Sequence, residues 1–196
     1  PRHHGSRKGL SVGERAHEPR RRRRGREVLP LTLDRLVDLP SPCALCTHWE
    51  LPPARGLLDR PGVGGGTDRN AGPDVTAGPD VTAATAAKRA WLSTVLLDWG
   101  APGRVAYVDG MPAGYLTFAP PHLVPRGLAF PTAPVGADAV LLLTARLRPE
   151  YAGQGLGRVL VQAAAKDVLR RGYRAIEAFA STNGSACLLP ADFLAA

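Results

Sequence analysis

Cysteine is scarce in this chain: three residues in 196. That is too few for a disulfide scaffold, which staples a small secreted domain with several bridges. No stretch approaches the ~18 apolar residues of a membrane span. No apolar segment follows Pro1-Arg2-His3-His4, so no secretory leader is visible there and none is expected. These absences set a cytoplasmic location as the expectation. Position 1 is not methionine, which suggests a processed, trimmed or partial chain. The last absence is a basic excess in the body of the sequence. The net charge is +8, yet residues 1–26 hold ten of the 25 lysines and arginines and only two of the 17 acids. The tail therefore carries the whole excess, and the remainder is neutral. Hydrophobic residues make up 44%, enough for a sizeable core.

Residues 1–26 include five consecutive arginines and few large apolar side chains, which predicts a disordered tail. It reads as a passive extension or as an arm for an anionic surface. Residues 27–196 are expected to form one domain. Residues 27–32 read as a short strand. Residues 31–39 space Leu33, Leu36 and Val37 on one helical face, with Pro40 and Pro42 ending it. Residues 52–82 contain seven glycines and five prolines, and the hexapeptide at 71–76 recurs at 77–82. This predicts a linker or expanded surface loop. Residues 83–99 read as a helix, with Trp91, Leu92, Val95, Leu96 and Trp99 as its apolar stripe. Residues 104–108 and 113–118 flank Asp109-Gly110, a tight-turn dipeptide, and predict a hairpin. Residues 139–147 are almost continuously apolar at first, as in a strand buried on both faces. A glycine-rich turn at 153–157, a helix over 158–171 and a strand over 174–180 complete a βαβ unit with parallel strands. Leu160, Val161, Ala164, Ala165, Val168 and Leu169 set that helix's face, and Gly172 is its stop.

The segment with chemical content runs from Leu147 through Arg148, Pro149, Glu150, Tyr151, Ala152, Gly153, Gln154, Gly155, Leu156 and Gly157 to Arg158. Glycines admit a ligand close to the backbone. The helix start behind them offers unpaired N–H groups and a positive dipole end. Together these form a cradle for phosphate. A dinucleotide fingerprint would need a third glycine where Arg158 stands, and no Gly-Lys-Ser/Thr tripeptide exists for a Walker A loop.

This segment resembles the coenzyme A loop of the GCN5-related N-acetyltransferase superfamily, whose pattern is Arg/Gln-x-x-Gly-x-Gly/Ala. Gly155 and Gly157 match its glycines, and Pro149 and Tyr151 its frequent proline and aromatic. Ala152 departs from the Arg/Gln position, so weaker cofactor binding is expected. The order of elements from 27 to 180 fits the same family. The Cys-x-x-Cys-x-x-Trp-Glu element at 43–50 and residues 187–194 resemble a subgroup found in high-GC actinobacteria. The resemblance implies an α/β fold, a mixed central sheet flanked by helices with splayed central strands. It also implies another helix and two more strands after residue 180. Only 16 residues remain there, so a C-terminally truncated domain with an exposed sheet edge is expected.

The resemblance further implies acetyl-CoA as cosubstrate, wedged between the strands at 139–147 and 174–180. Leu147 would hold the acetyl carbonyl and pantetheine through its backbone. Gly153, Gln154, Gly155, Leu156, Gly157 and Arg158 would bind the pyrophosphate. An amine of a small molecule or protein would then attack the thioester directly. The amine must first lose a proton, which needs a carboxylate. Glu177 is the candidate base, and Asn183 a candidate for ordering a water or the pantetheine. The oxyanion would take a strand N–H. No tyrosine follows Tyr173, so the family's usual acid is missing; Leu194 falls at its place. The thiolate then leaves unassisted, or the acid comes from a missing segment or from Tyr151.

Cys43 and Cys46 with His48 have zinc-like spacing, but a closed site needs four ligands and no second pair exists. Cys187 could join only through tertiary contact. The pair is expected to pack near Trp49 and shape the acceptor side, and no metal is expected. A homodimer is compatible with these features, and a membrane partner is not expected. Two other functions compete with acetyl transfer: a CoA-binding module or relic without catalysis, and nucleic-acid binding through the tail.

Overall fold

The structure is a computed structural model that describes residues 25–40, 43–52, 78–182 and 187–195. Most of the basic tail, most of the loop over 52–82, and Asn183 lie outside the described residues.

Five strands form the main sheet in chain order: β1 (Arg26–Pro30), β2 (Gly103–Val108), β3 (Met111–Ala119), β4 (Ala139–Leu147) and β5 (Ala175–Ala178). The first three junctions are antiparallel and β4–β5 is parallel. Asp109 and Gly110 join β2 to β3 with φ of 52° and 80°, the two left-handed residues of a type I′ turn. The sheet starts earlier than expected. Arg26 pairs with Val108, and the Gly25 N–H bonds the Asp109 carboxylate at 2.8 Å.

Helix α1 (Gly78–Asp98) and helix α2 (Leu156–Arg170) flank the sheet. α1 begins inside the second copy of the duplicated hexapeptide, five residues before the expected start. Proline in a first helical turn forfeits no backbone bond, so Pro79 permits the extension. Leu92 and Val95 are buried, against different clusters of the core. α2 also starts early, at Leu156. Leu156, Leu160, Ala164 and Val168 are its buried stripe, whereas Val161 and Leu169 face outward. Asp167 lies on the buried side because Arg104 Nε meets its carboxylate at 2.6 Å and Arg170 pairs with its other oxygen. Gly172, with φ of +84°, ends the helix as expected.

The helix expected over 31–39 is only one 3-10 turn, Arg35–Asp38. Leu31, Leu36 and Leu39 are buried together, and Val37 points to solvent. Leu39 is extended, as a residue before proline must be, so the turn cannot propagate through Pro40.

The strand expected over 174–180 is split. β5 ends at Ala178, and the next residue, Phe179, stacks on Phe130 with ring centroids 4.1 Å apart. The chain then forms β6 (Ala180–Ser181), which pairs in parallel with β7 (Leu189–Pro190). A short helix, α3 (Ala191–Ala195), follows.

Candidate active site

The central feature is a fork. β4 and β5 stay paired from Ala139↔Ala175 to Leu142↔Ala178, and there the pairing stops. β4 continues five residues to Leu147, paired with β3 on its other side. Among the described residues its outer edge there has no ladder partner. The Arg148 N–H donates to Ala113 O at 2.9 Å, toward β3. Backbone groups alternate along an antiparallel strand, so Leu147 and Ala145 direct theirs to the open edge. Leu147, the residue that the resemblance singles out, thus presents its backbone groups on the side of β4 away from β3.

The open edge runs into the glycine turn. Residues Pro149–Tyr151 form a 3-10 turn, and Gly153 and Gly155 follow with φ of +70° and +78°. Gly155 is the N-cap of α2, and among the described residues no side chain caps that end. The N–H groups of Leu156, Gly157 and Arg158 therefore lack intrahelical acceptors. The Leu156 side chain is buried with Val108 and Ala113 and anchors the turn. Gln154 folds its amide back, Nε2 donating to Glu150 O at 3.0 Å. Ala152 and Arg158 are exposed. Arg148, not singled out in the sequence, follows β4 directly, and its Nε is buried without a hydrogen-bond partner among the described residues. Its place inside the motif was the available signal.

The fork already has an occupant. Leu188 packs with the cluster on one face of the sheet, and Leu189 is buried in the cluster on the other. β7 therefore lies in the plane of the sheet. It approaches β4 without joining its ladder. Farther on, the Phe193 ring stands 3.8 Å from where a Cβ on Gly157 would be, beside Leu147. Residues 187–195 thus span the path from the fork to the start of α2. Sequence pattern did not reveal this, because two leucines and a proline carry no period.

Glu177 stands level with Leu141, one pair before the fork. It is exposed, and the Gly136 N–H donates to its Oε1 at 3.0 Å. Tyr151 is packed near Leu156 beyond the far end of β4. Leu147 lies six positions beyond Leu141, about 20 Å of strand at ~3.3 Å per residue. Tyr151 therefore does not share a reaction centre with Glu177.

The Cys43–Glu50 segment does border the same face. Trp49 stacks on Phe130 and Phe179 at centroid distances of 5.5 and 6.4 Å. Its Nε1–H donates to Cys187 O at 3.1 Å. Cys46 Sγ lies 3.4 Å from Cys187 Sγ, the tertiary contact that spacing alone could not supply. Among the described residues, no group of three or more His, Cys, Asp or Glu is arranged to hold a metal ion. No helix among them is long and apolar enough to cross a membrane.

A profile of the acetyltransferase (GNAT) family matches residues 77–189, more than half of the chain. The chain belongs to this family, with the mixed α/β fold and the acetyl-CoA cosubstrate that go with it. Curated proteins provide no sequence match. Among solved structures, the chain is similar to the aminoglycoside N-acetyltransferase AAC(6')-Iy in complex with CoA, at 13% identity and a TM-score of 0.49, over 82% of this chain and 80% of that one. It is also similar to a GCN5-related N-acetyltransferase from Ralstonia eutropha JMP134, at 21% identity and a TM-score of 0.41, over 79% and 84%. A ribosomal-protein-alanine N-acetyltransferase from Brucella melitensis biovar Abortus 2308 matches at 17% identity and a TM-score of 0.40, over 78% of each chain.

Proposed function

We propose that the chain transfers the acetyl group of acetyl-CoA to an amine by direct attack on the thioester. The fork carries this reading: a strand edge with open backbone groups leads straight into an uncapped, left-handed glycine turn. The edge groups of Ala145 and Leu147 would pair with the pantetheine amides. The N–H groups from Gly153 to Arg158 would receive the pyrophosphate. Arg148 would supply the cation that Ala152 cannot. The open strand edge also offers the N–H that a tetrahedral oxyanion needs. Asn183, outside the described residues, would order a water or the pantetheine. We place the reaction in the cytoplasm, with an amine of a small molecule or a protein as acceptor.

Glu177 is the base in this reading. It acts through a water, or directly once Gly136 releases it. Glu177→Gln is expected to lower kcat by about 100-fold, the usual contribution of a general base, and to leave the KM for acetyl-CoA unchanged. Steady-state thiol release across pH reads both. Full activity at every pH would remove Glu177 from the mechanism.

The donor must displace residues 188–195 from the fork. Its apparent affinity is then reduced by the fraction of molecules whose fork is open. Phe193 is only 39% exposed, and it rests beside Leu147 and Gly157. Phe193→Ala is therefore expected to tighten acetyl-CoA binding in calorimetry. Weaker binding would mean that Phe193 supports the donor instead of opposing it.

A second reading is favoured by the hydrogen bond that already engages Glu177 and by Ala152: a module that binds CoA without turnover. An amine panel separates the two. Heat on acetyl-CoA titration with no amine-dependent thiol release would establish the module, and no heat would sink both.

A further inference from the structure

We propose that Cys46 and Cys187 are a site of oxidative modification, a thiol pair that a peroxide converts to an intramolecular disulfide. The two sulfurs are 3.4 Å apart, although 141 residues separate them in sequence. A disulfide is about 2.05 Å long, so closing it needs a shift of roughly 1.3 Å. Both residues are half-buried, and neither is in a disulfide. Their backbones are held from independent directions. Lys88 Nζ donates to Cys46 O at 2.9 Å, and Trp49 Nε1–H donates to Cys187 O at 3.1 Å. Lys88 is itself fixed by its buried pair with Glu50.

The surroundings assign different roles to the two sulfurs. The hydrogen bond shared with Cys187 pulls the Cys46 thiol down, helped by the His48 N–H and Lys88 and opposed by burial and Glu50. Cys187 is pushed up, by the bond to Cys46 first, then by burial and by Cys43. Arg146 partly offsets that rise. Cys46 is therefore the nucleophile and Cys187 the resolving thiol. Cys43 is drawn instead to buried Tyr115.

The steps balance. The Cys46 thiolate attacks one oxygen of a peroxide; an S–O bond forms, the O–O bond breaks and hydroxide or alkoxide leaves. Cys187 sulfur then attacks the sulfenic sulfur; the S–S bond forms, the S–O bond breaks, and the departing hydroxide takes the Cys187 proton as water. The sulfur pair loses two electrons to the peroxide. The product ties residues 187–195, which fill the fork, to the Cys43–Glu50 segment. This last consequence rests on the fork as the donor site only for its meaning, not for its test.

The full chain is treated with hydrogen peroxide, alkylated and digested without reductant. Titratable thiols are expected to fall from three to one, with Cys46 and Cys187 in one cross-linked peptide that dithiothreitol releases. Hydrogen exchange at 187–195 is expected to slow several-fold on oxidation and recover on reduction. Cys187→Ser is expected to abolish the cross-link and leave a dimedone-reactive sulfenic acid at Cys46. A Cys43–Cys46 link, a bridge between two chains, unchanged thiols, or exchange at 187–195 that ignores oxidation would overturn the proposal. None of these readouts needs acetyl-CoA.

Discussion

Acetyl-CoA binding is expected to fall by about 100-fold or more when Gly155 is replaced by glutamate. Two effects combine. Gly155 adopts φ of +78°, where an L side chain is strained by roughly 1–2 kcal/mol. No atom lies within 4 Å of a Cβ built there, so the side chain itself would find room. The strain therefore lowers stability modestly without blocking the fold. The larger effect is on the ligand. The new carboxylate would stand at the N-terminus of α2, against the phosphates that the N–H groups are proposed to cradle. Like charges brought together cost several kcal/mol, and about 1.4 kcal/mol is a factor of ten. Gly155→Ala isolates the strain from the charge and is expected to bind far better than the glutamate variant. Calorimetric titration of all three proteins decides it. Equal affinity in parent and glutamate variant would place the donor elsewhere.

Lys88→Ala is expected to destabilise the fold by about 3 kcal/mol or more. Lys88 and Glu50 form an ion pair with side chains only 10% and 3% exposed. Removing one partner strands a buried charge, a loss of roughly 3–5 kcal/mol. The environment gives Glu50 little else, since its Oε2 is buried without a hydrogen-bond partner among the described residues. Lys88 also holds Cys46 O, so the Cys43–Glu50 segment would lose its tie to α1. The double variant Lys88→Met with Glu50→Leu is expected to recover most of the stability, because well-packed apolar residues often replace a buried pair without loss. Urea unfolding followed by circular dichroism measures all three. A lysine variant within 0.5 kcal/mol of the parent, the usual range for surface substitutions at ~±0.5 kcal/mol, would mean that the pair is solvated.

Gly155 announced itself in the sequence, because a left-handed turn before a helix is a local requirement that only glycine meets without strain. The same holds for Asp109-Gly110 and for Gly172, and all three stand where expected. The continuous apolar run of β4 also foretold a strand buried on both faces, and Ala139 to Leu143 are all buried. Lys88, Glu50 and Asp167 gave no such signal. A charge in sequence reads as a surface residue, and only its partner across the fold makes burial tolerable.

The sequence by itself determined the βαβ unit, the hairpin and the glycine turn, since each depends on residues adjacent in the chain. It also determined where the excess charge lies, within residues 1–26. The tertiary structure decided what long separation conceals. It ended the expected strand at Ala178, where the next residue, Phe179, is buried and stacks its ring on Phe130. It laid Leu188 and Leu189 across the plane of the sheet in the fork. It set Cys46 against Cys187 across 141 positions. No local propensity encodes these contacts, because each is fixed by which surfaces remain to be buried once the sheet has formed.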